Sequence, residues 1–126
     1  MERVRDKCSR DVLVLDGDVP LWKAWRAVSA YGDVEFVVRL SDSRFALCSK
    51  EKLRLLSCVN GGNALNLHEI VEPQTRWISG DESLVEAFEK MRFEGIPALI
   101  VKDEAGEFLG IIRNQNAIKA KIIKDA

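Results

Sequence analysis

The chain has 126 residues, with 19 Lys+Arg against 20 Asp+Glu, a formal net charge of −1 and an apolar fraction of 47%. This is the composition of an ordinary globular domain able to bury a core, which excludes a disordered chain, and near-neutral charge excludes the basic excess of a nucleic-acid footprint. No apolar run approaches the roughly 20 residues of a membrane span, and the charged start Met-Glu-Arg-Val-Arg-Asp-Lys lacks the apolar stretch of a signal peptide, so a cytoplasmic location is expected.

The first predicted strand is Val12–Leu15, followed by a helix with Asp18 as N-cap and Pro20 in its first turn. Leu21, Ala24, Trp25 and Val28 supply the i, i+3, i+4, i+7 stripe of that helix, and Gly32 ends it. Residues 35–39 and 44–48 read as a hairpin around Ser41-Asp42-Ser43, and Ser49 caps a helix over Lys50 to Leu56. Asn60-Gly-Gly-Asn63 is the linker signal. Beyond it the same order returns: a strand at Trp77-Ile78, an Asp81-capped helix carrying Leu84, Ala87, Phe88 and Met91, then Gly95. A hairpin of 98–101 and 108–112 around Glu104-Ala-Gly106 comes next, and a last helix is expected to begin near Asn114.

The recurrence is a duplication with a period of 63 residues. Without a gap, Val4 to Phe45 superimposes on Leu67 to Phe108, matching Gly17-Asp18 with Gly80-Asp81, Leu21 with Leu84, Trp25 with Phe88 and Gly32 with Gly95. After Phe108 the register slips by one, which predicts one more residue around the second copy's turn.

Little chemistry is visible in the side chains. Cys8, Cys48 and Cys58 are odd in number and lack metal-ligand spacing, and Cys48 reads as a small buried hydrophobe. His68 is the only histidine and reads as a surface residue. With no recurring nucleophile, base and orienting group, the expectation is a non-enzyme without metal. Trp25 belongs to the helical stripe, whereas Trp22 lies off it and is the better candidate for an exposed contact.

A strand-helix-strand-strand-helix unit occurring twice, with Gly-Asp-x-x-Leu-x-x-Ala opening its helix, resembles a tandem cystathionine-β-synthase (CBS) domain pair, the Bateman module. The stretches 77–91 and 95–112 carry the likeness most clearly. It implies an α/β (α+β) fold of two β-α-β-β-α repeats packed with pseudo-twofold symmetry: residues 1–59, a linker at 60–66, and residues 67–126. It further implies a regulatory module with adenosine-containing ligands (AMP, ADP, ATP or S-adenosylmethionine) in clefts between the repeats, no required cofactor, and a homodimer serving a regulated protein. The alternative is a ligand-free dimerisation or docking module.

The family signature places a hydroxyl on phosphate and an Asp on ribose, after a glycine. Here the second copy reads Gly110-Ile111-Ile-Arg113-Asn-Gln-Asn116: Arg113 offers a bidentate fork for phosphate, while Asn116 keeps one amide acceptor for ribose. The first copy reads Ala46-Leu-Cys-Ser49-Lys-Glu-Lys52, keeping the hydroxyl but replacing the acceptor by a cation. The resemblance adds backbone at Ile96-Pro97 and at Asp33-Val34 as ligand lining. Unequal sites, one of them empty, are the expectation.

Overall fold

The computed structural model describes residues 1–31, 35–41, 44–59, 61–72 and 76–114. Its elements run α1 (Val4–Lys7), β1 (Val14–Asp16), α2 (Leu21–Ser29), β2 (Glu35–Ser41), β3 (Arg44–Ser49), α3 (Lys50–Ser57), two 3-10 turns (Gly62–Ala64 and Leu67–Glu69), β4 (Trp77–Ser79), α4 (Leu84–Glu94), β5 (Ala98–Lys102) and β6 (Phe108–Arg113). The expected turn residues Asp42 and Ser43, the helix stop Gly32 and the helix expected after Asn114 lie outside the described residues.

Two three-stranded mixed sheets result, ordered β1-β2-β3 and β4-β5-β6, as expected of tandem repeats of one α/β unit. The 63-residue period holds at the level of hydrogen-bond register. Val14 pairs with Val37 in the parallel β1–β2 ladder, and Trp77 pairs with Ile100 in β4–β5. The helical stripe is buried as its spacing requires: Leu21, Ala24 and Val28 on α2 correspond to Leu84, Ala87 and Met91 on α4. Central strand β5 is buried along its whole length.

The expected Asp caps are corrected. Both helices start later, with Pro20 and Ser83 at the N-cap positions; only Ser83 contributes a side chain, its Oγ accepting from Glu86 N at 3.5 Å. Asp18 and Asp81 lie instead in the turn before the helix. The first helical N–H groups are met from elsewhere: Leu21 N donates to Leu65 O (2.9 Å) and Leu84 N to Glu2 O (3.0 Å). At α2 an incoming backbone carbonyl thus takes the place of an N-cap side chain, and at α4 it adds to one. At the other end Gly95 behaves as expected, capping α4 with φ +70°.

The one-residue slip also has a different cause from an enlarged turn. Phe108 pairs with Lys102 and Gly110 with Val101, so Leu109 is the extra residue, inserted in the ladder as a bulge. In the first hairpin the irregularity lies on the opposite strand, at Leu40 between Arg39 and Ser41. Both leucines approach the glycine of the preceding turn, Leu40 at Gly17 and Leu109 at Gly80.

The residues pack into two compact units that differ from a division at the linker: residues 11–75, and Met1–Arg10 together with the chain from Arg76 onward. Leu67 and Val71 are buried in the core of the first unit, and Val4 in that of the second. The docking is the same in both. Val4 N donates to Glu82 O and Arg5 N to Gly80 O; 63 residues on, Leu67 N donates to Val19 O and His68 N to Gly17 O.

In the second unit the docked segment continues to Ser9, which exchanges two backbone hydrogen bonds with Ile111 (2.8 and 2.9 Å). This approach needs a glycine at 110, because a Cβ there would stand 2.4 Å from Ser9 O. Gly110→Ala is therefore expected to lower stability by about 1–3 kcal/mol through forced displacement of the segment. Urea unfolding checks it, and an unchanged midpoint would show that the Ser9 bridge carries no stability.

Candidate ligand-binding site

The second repeat brings its described candidates to one end of the β5–β6 hairpin. Ala98 and Arg113 are register partners, and Asn114 N donates to Pro97 O at 3.0 Å. Ile96 is held from the other side, its N–H on Met91 O at 2.8 Å behind the Gly95 cap. Ile111 is buried, Arg113 and Ile96 are half-buried, and Pro97 is exposed. Gly110 lies lower in β6 opposite Val101, where it admits the Ser9 backbone.

Arg113 opens onto a cavity of about 370 Å³ in this unit, lined by Glu2, Lys7, Ser9, Leu84, Phe88, Ile111, Ile112 and Arg113. The volume lies near the small end of ligand pockets, roughly 300–1,000 Å³. Its walls are aliphatic and aromatic, and its polar groups are two cations, one carboxylate and one hydroxyl. Such a lining favours an amphipathic anion: an apolar body against the leucine, isoleucines and phenylalanine, with negative charge at the cations.

Sequence reasoning singles out Arg113 and Ile111 of this lining. It misses Lys7, Ser9 and Glu2 because it assigns residues 1–59 to the first repeat. The available signal is the pairing of Val4 with Leu67, which places 1–9 as the counterpart of the segment around 67.

In the first repeat, Ser49 occupies the place of Arg113, paired across the hairpin with Glu35. Its hydroxyl accepts from Lys52 N at 3.0 Å, so it is the N-cap of α3. Both Ser49 and Lys52 are exposed. Asp33, Val34 and Asn116 lie outside the described residues. A second cavity, about 350 Å³, opens elsewhere in this unit between Asp16, Gly17, Asp18, Arg39, Leu40, Ser41 and His68, and includes neither Ser49 nor Lys52.

Trp25 packs on the core, while Trp22 is about half exposed (48%). Trp77 is similarly exposed, with Lys102 Nζ 4.9 Å from its ring centroid. Among the described residues, no helix is long and apolar enough to cross a membrane.

Comparison with known proteins names this architecture. Residues 67–122 match the CBS domain family, so the second repeat is a CBS domain. The fold of the whole chain is that of a CBS pair. The structure of CBSX2 in complex with AMP matches with a TM-score of 0.75 at 14% identity, covering 100% of both chains. A putative acetoin utilization protein (AcuB) from Vibrio cholerae matches at TM-score 0.76 and 18% identity, over 97% of this chain and 91% of that one. The CBS domain of a bacterial CNNM/CorC family Mg2+ transporter, in complex with ATP, matches at TM-score 0.76 and 15% identity, over 94% of this chain and 85% of that one. A search of curated proteins finds no match. The chain thus has the fold of a tandem CBS pair, its second repeat matched to the CBS domain family directly and its first related to the second by the 63-residue correspondence.

Cys48, one residue before Ser49, is buried, and burial pushes its thiol up to about 11 against the smaller opposing pull of the Lys52 charge. The folded state therefore holds the proton while the unfolded chain releases it from about pH 9, so this contribution to stability is lost as pH rises from 9 through 11. Wild type should lose stability relative to Cys48→Ala over that interval in urea titrations. A pH-independent difference between the two would contradict a proton-linked role for the buried thiol.

Proposed function

We propose that this CBS pair is a regulatory module that binds an anionic adenosine-containing ligand, AMP, ADP or ATP, and S-adenosylmethionine more weakly. The observation that carries the reading is the position of Arg113 beside Ile96–Pro97, lining a cavity with both apolar and charged walls in the repeat that matches the family. A guanidinium there offers a planar fork to a phosphate, and the Ile96–Pro97 backbone offers a wall to a base. That two proteins of the same fold are complexed with AMP and with ATP supports the ligand class.

The proposed mode of action is differential affinity. A ligand that fits one arrangement of the repeats or protomers better than another raises the population of that arrangement, and a regulated protein reads the difference. The role is binding rather than catalysis, exercised in the cytoplasm. The second-repeat side is assigned the ligand, with Asn116 as ribose acceptor. The first-repeat side, where Asp33 and Val34 would line a ligand, has a Ser49 hydroxyl already accepting a capping hydrogen bond and an exposed Lys52 without acceptor capacity. That same observation favours the second reading, a module that keeps the fold for dimerisation or docking and binds no nucleotide.

Calorimetry and thermal shift with adenosine, AMP, ADP, ATP and S-adenosylmethionine separate the two. A ligand at a hundred times its Kd adds about 2.7 kcal/mol of stability, a clear rise in Tm. No response to any of them at millimolar concentration would overturn the nucleotide reading. Arg113→Ala should weaken the phosphate-bearing ligands roughly ten- to a hundredfold, the ~1.5–3 kcal/mol of hydrogen bonds to a charged group, and adenosine about twofold or less.

The homodimer that accompanies this reading predicts a light-scattering mass of twice the 14.2 kDa chain. A mass of one chain across the concentration range would contradict it.

A further inference from the structure

The cavity at Arg113 receives polar side chains from a part of the chain that the family's signature does not involve. Lys7 ends α1 and Ser9 lies two residues on, both within the N-terminal segment that docks on the second repeat. The segment is fixed at several points. Leu84 N donates to Glu2 O, Val4 fills the core, Asp6 Oδ2 accepts from Arg3 N at 2.9 Å, and Ser9 is bridged to Ile111 over the bare Cα of Gly110. Between these fixed points, Lys7 is exposed and makes no ion pair or hydrogen bond through its side chain with any described residue. Lys7 thus lines the same cavity as Arg113 and has no ion pair among the described residues. Glu2 is the one carboxylate among the lining residues.

Two cations against one carboxylate, on a cavity with aliphatic and aromatic side chains in its wall, favour an anionic ligand. From this we infer that Lys7 is a second anion-binding residue of the site, and that Lys7 with Arg113 makes it selective for a nucleoside di- or triphosphate over the monophosphate, over uncharged adenosine and over the sulfonium cation. The inference rests on the nucleotide reading for the apolar body of the ligand, but the two-cation site stands on the cavity alone. The first repeat has no equivalent. Ala46 holds the place of Gly110, and among the described residues no antiparallel bridge corresponds to Ser9–Ile111.

The test is calorimetry on the full chain, wild type and Lys7→Gln, with adenosine, AMP, ATP and inorganic tripolyphosphate as probes. Lys7 is exposed and outside the core, so the variant is expected to melt with the wild type. ATP and tripolyphosphate should weaken about tenfold, AMP less, and adenosine less than twofold, with a shallower salt dependence for ATP. An ATP-to-adenosine affinity ratio that stays within twofold of wild type overturns the role of Lys7, while binding of adenine nucleotides by the wild type would still support the nucleotide reading. Lys7-dependent binding of tripolyphosphate without binding of any adenine compound upholds the two-cation site and overturns the nucleotide reading. Binding of none of the four probes overturns both.

Discussion

Each long helix of this protein begins with a leucine whose backbone N–H is accepted by a carbonyl from outside the strand-helix-hairpin unit it belongs to: Leu21 by Leu65 and Leu84 by Glu2. A buried N–H left without an acceptor costs about 1–3 kcal/mol, so this requirement decides which segment of chain lies beside which helix. Once the carbonyl is in place, the succeeding residues descend into the core, Leu67 in one unit and Val4 in the other, both fully buried. The glycines of the preceding turns then sit in tight quarters. A Cβ at Gly17 would stand 3.1 Å from His68 Cβ, and one at Gly80 would stand 3.2 Å from Arg5 Cβ. The Gly-Asp pair that marks each repeat is thus a consequence of docking: the glycine admits the segment, and Asp81 then pairs with Arg3 and Arg5 of that segment.

Much of this is legible in the sequence. A duplication is written in positions that cannot drift independently, so Leu21 with Leu84, Ala24 with Ala87 and Phe36 with Leu99 keep both their spacing and their burial. Gly95 and the Glu104-Ala-Gly106 turn are legible because positive φ restricts the residue type, and both Gly95 and Gly106 have it. The N-caps of α2 and α4 are not legible, for a physical reason. An Asp before an apolar stripe is the usual N-cap signal, but a backbone carbonyl arriving from a distant segment satisfies the same donor and leaves no trace in the local sequence. The bulge is hidden similarly, since an insertion of one residue looks the same in a turn and in a strand.

The candidate site divides along the same line. Arg113, Ile96 and Pro97 are legible because hairpin register brings them together, and register derives from the repeat. Lys7 and Ser9 are not, because nothing around residue 7 distinguishes a lysine facing a cavity from one on a solvated face. Their place depends on Gly110, and the reason for that glycine becomes visible only when the Ser9 carbonyl is found against it.

Duplication supplies two equivalent positions, and the fate of each is decided by how far the residues there have diverged. Ala46 and Gly110 differ by one methyl group, and at position 110 that methyl would stand 2.4 Å from the Ser9 carbonyl oxygen that bridges the strand. Ser49 and Arg113 stand at matching ends of β3 and β6, yet one hydroxyl is committed to its own helix while the other side chain reaches a cavity. A net charge of −1 averaged over 126 residues conveys nothing of this. At 0.15 M salt the field decays over about 8 Å, so what a small ligand meets is set by the few side chains around it. In the second repeat those are Lys7, Arg113 and Glu2, and the sign of the cavity is theirs rather than that of the chain.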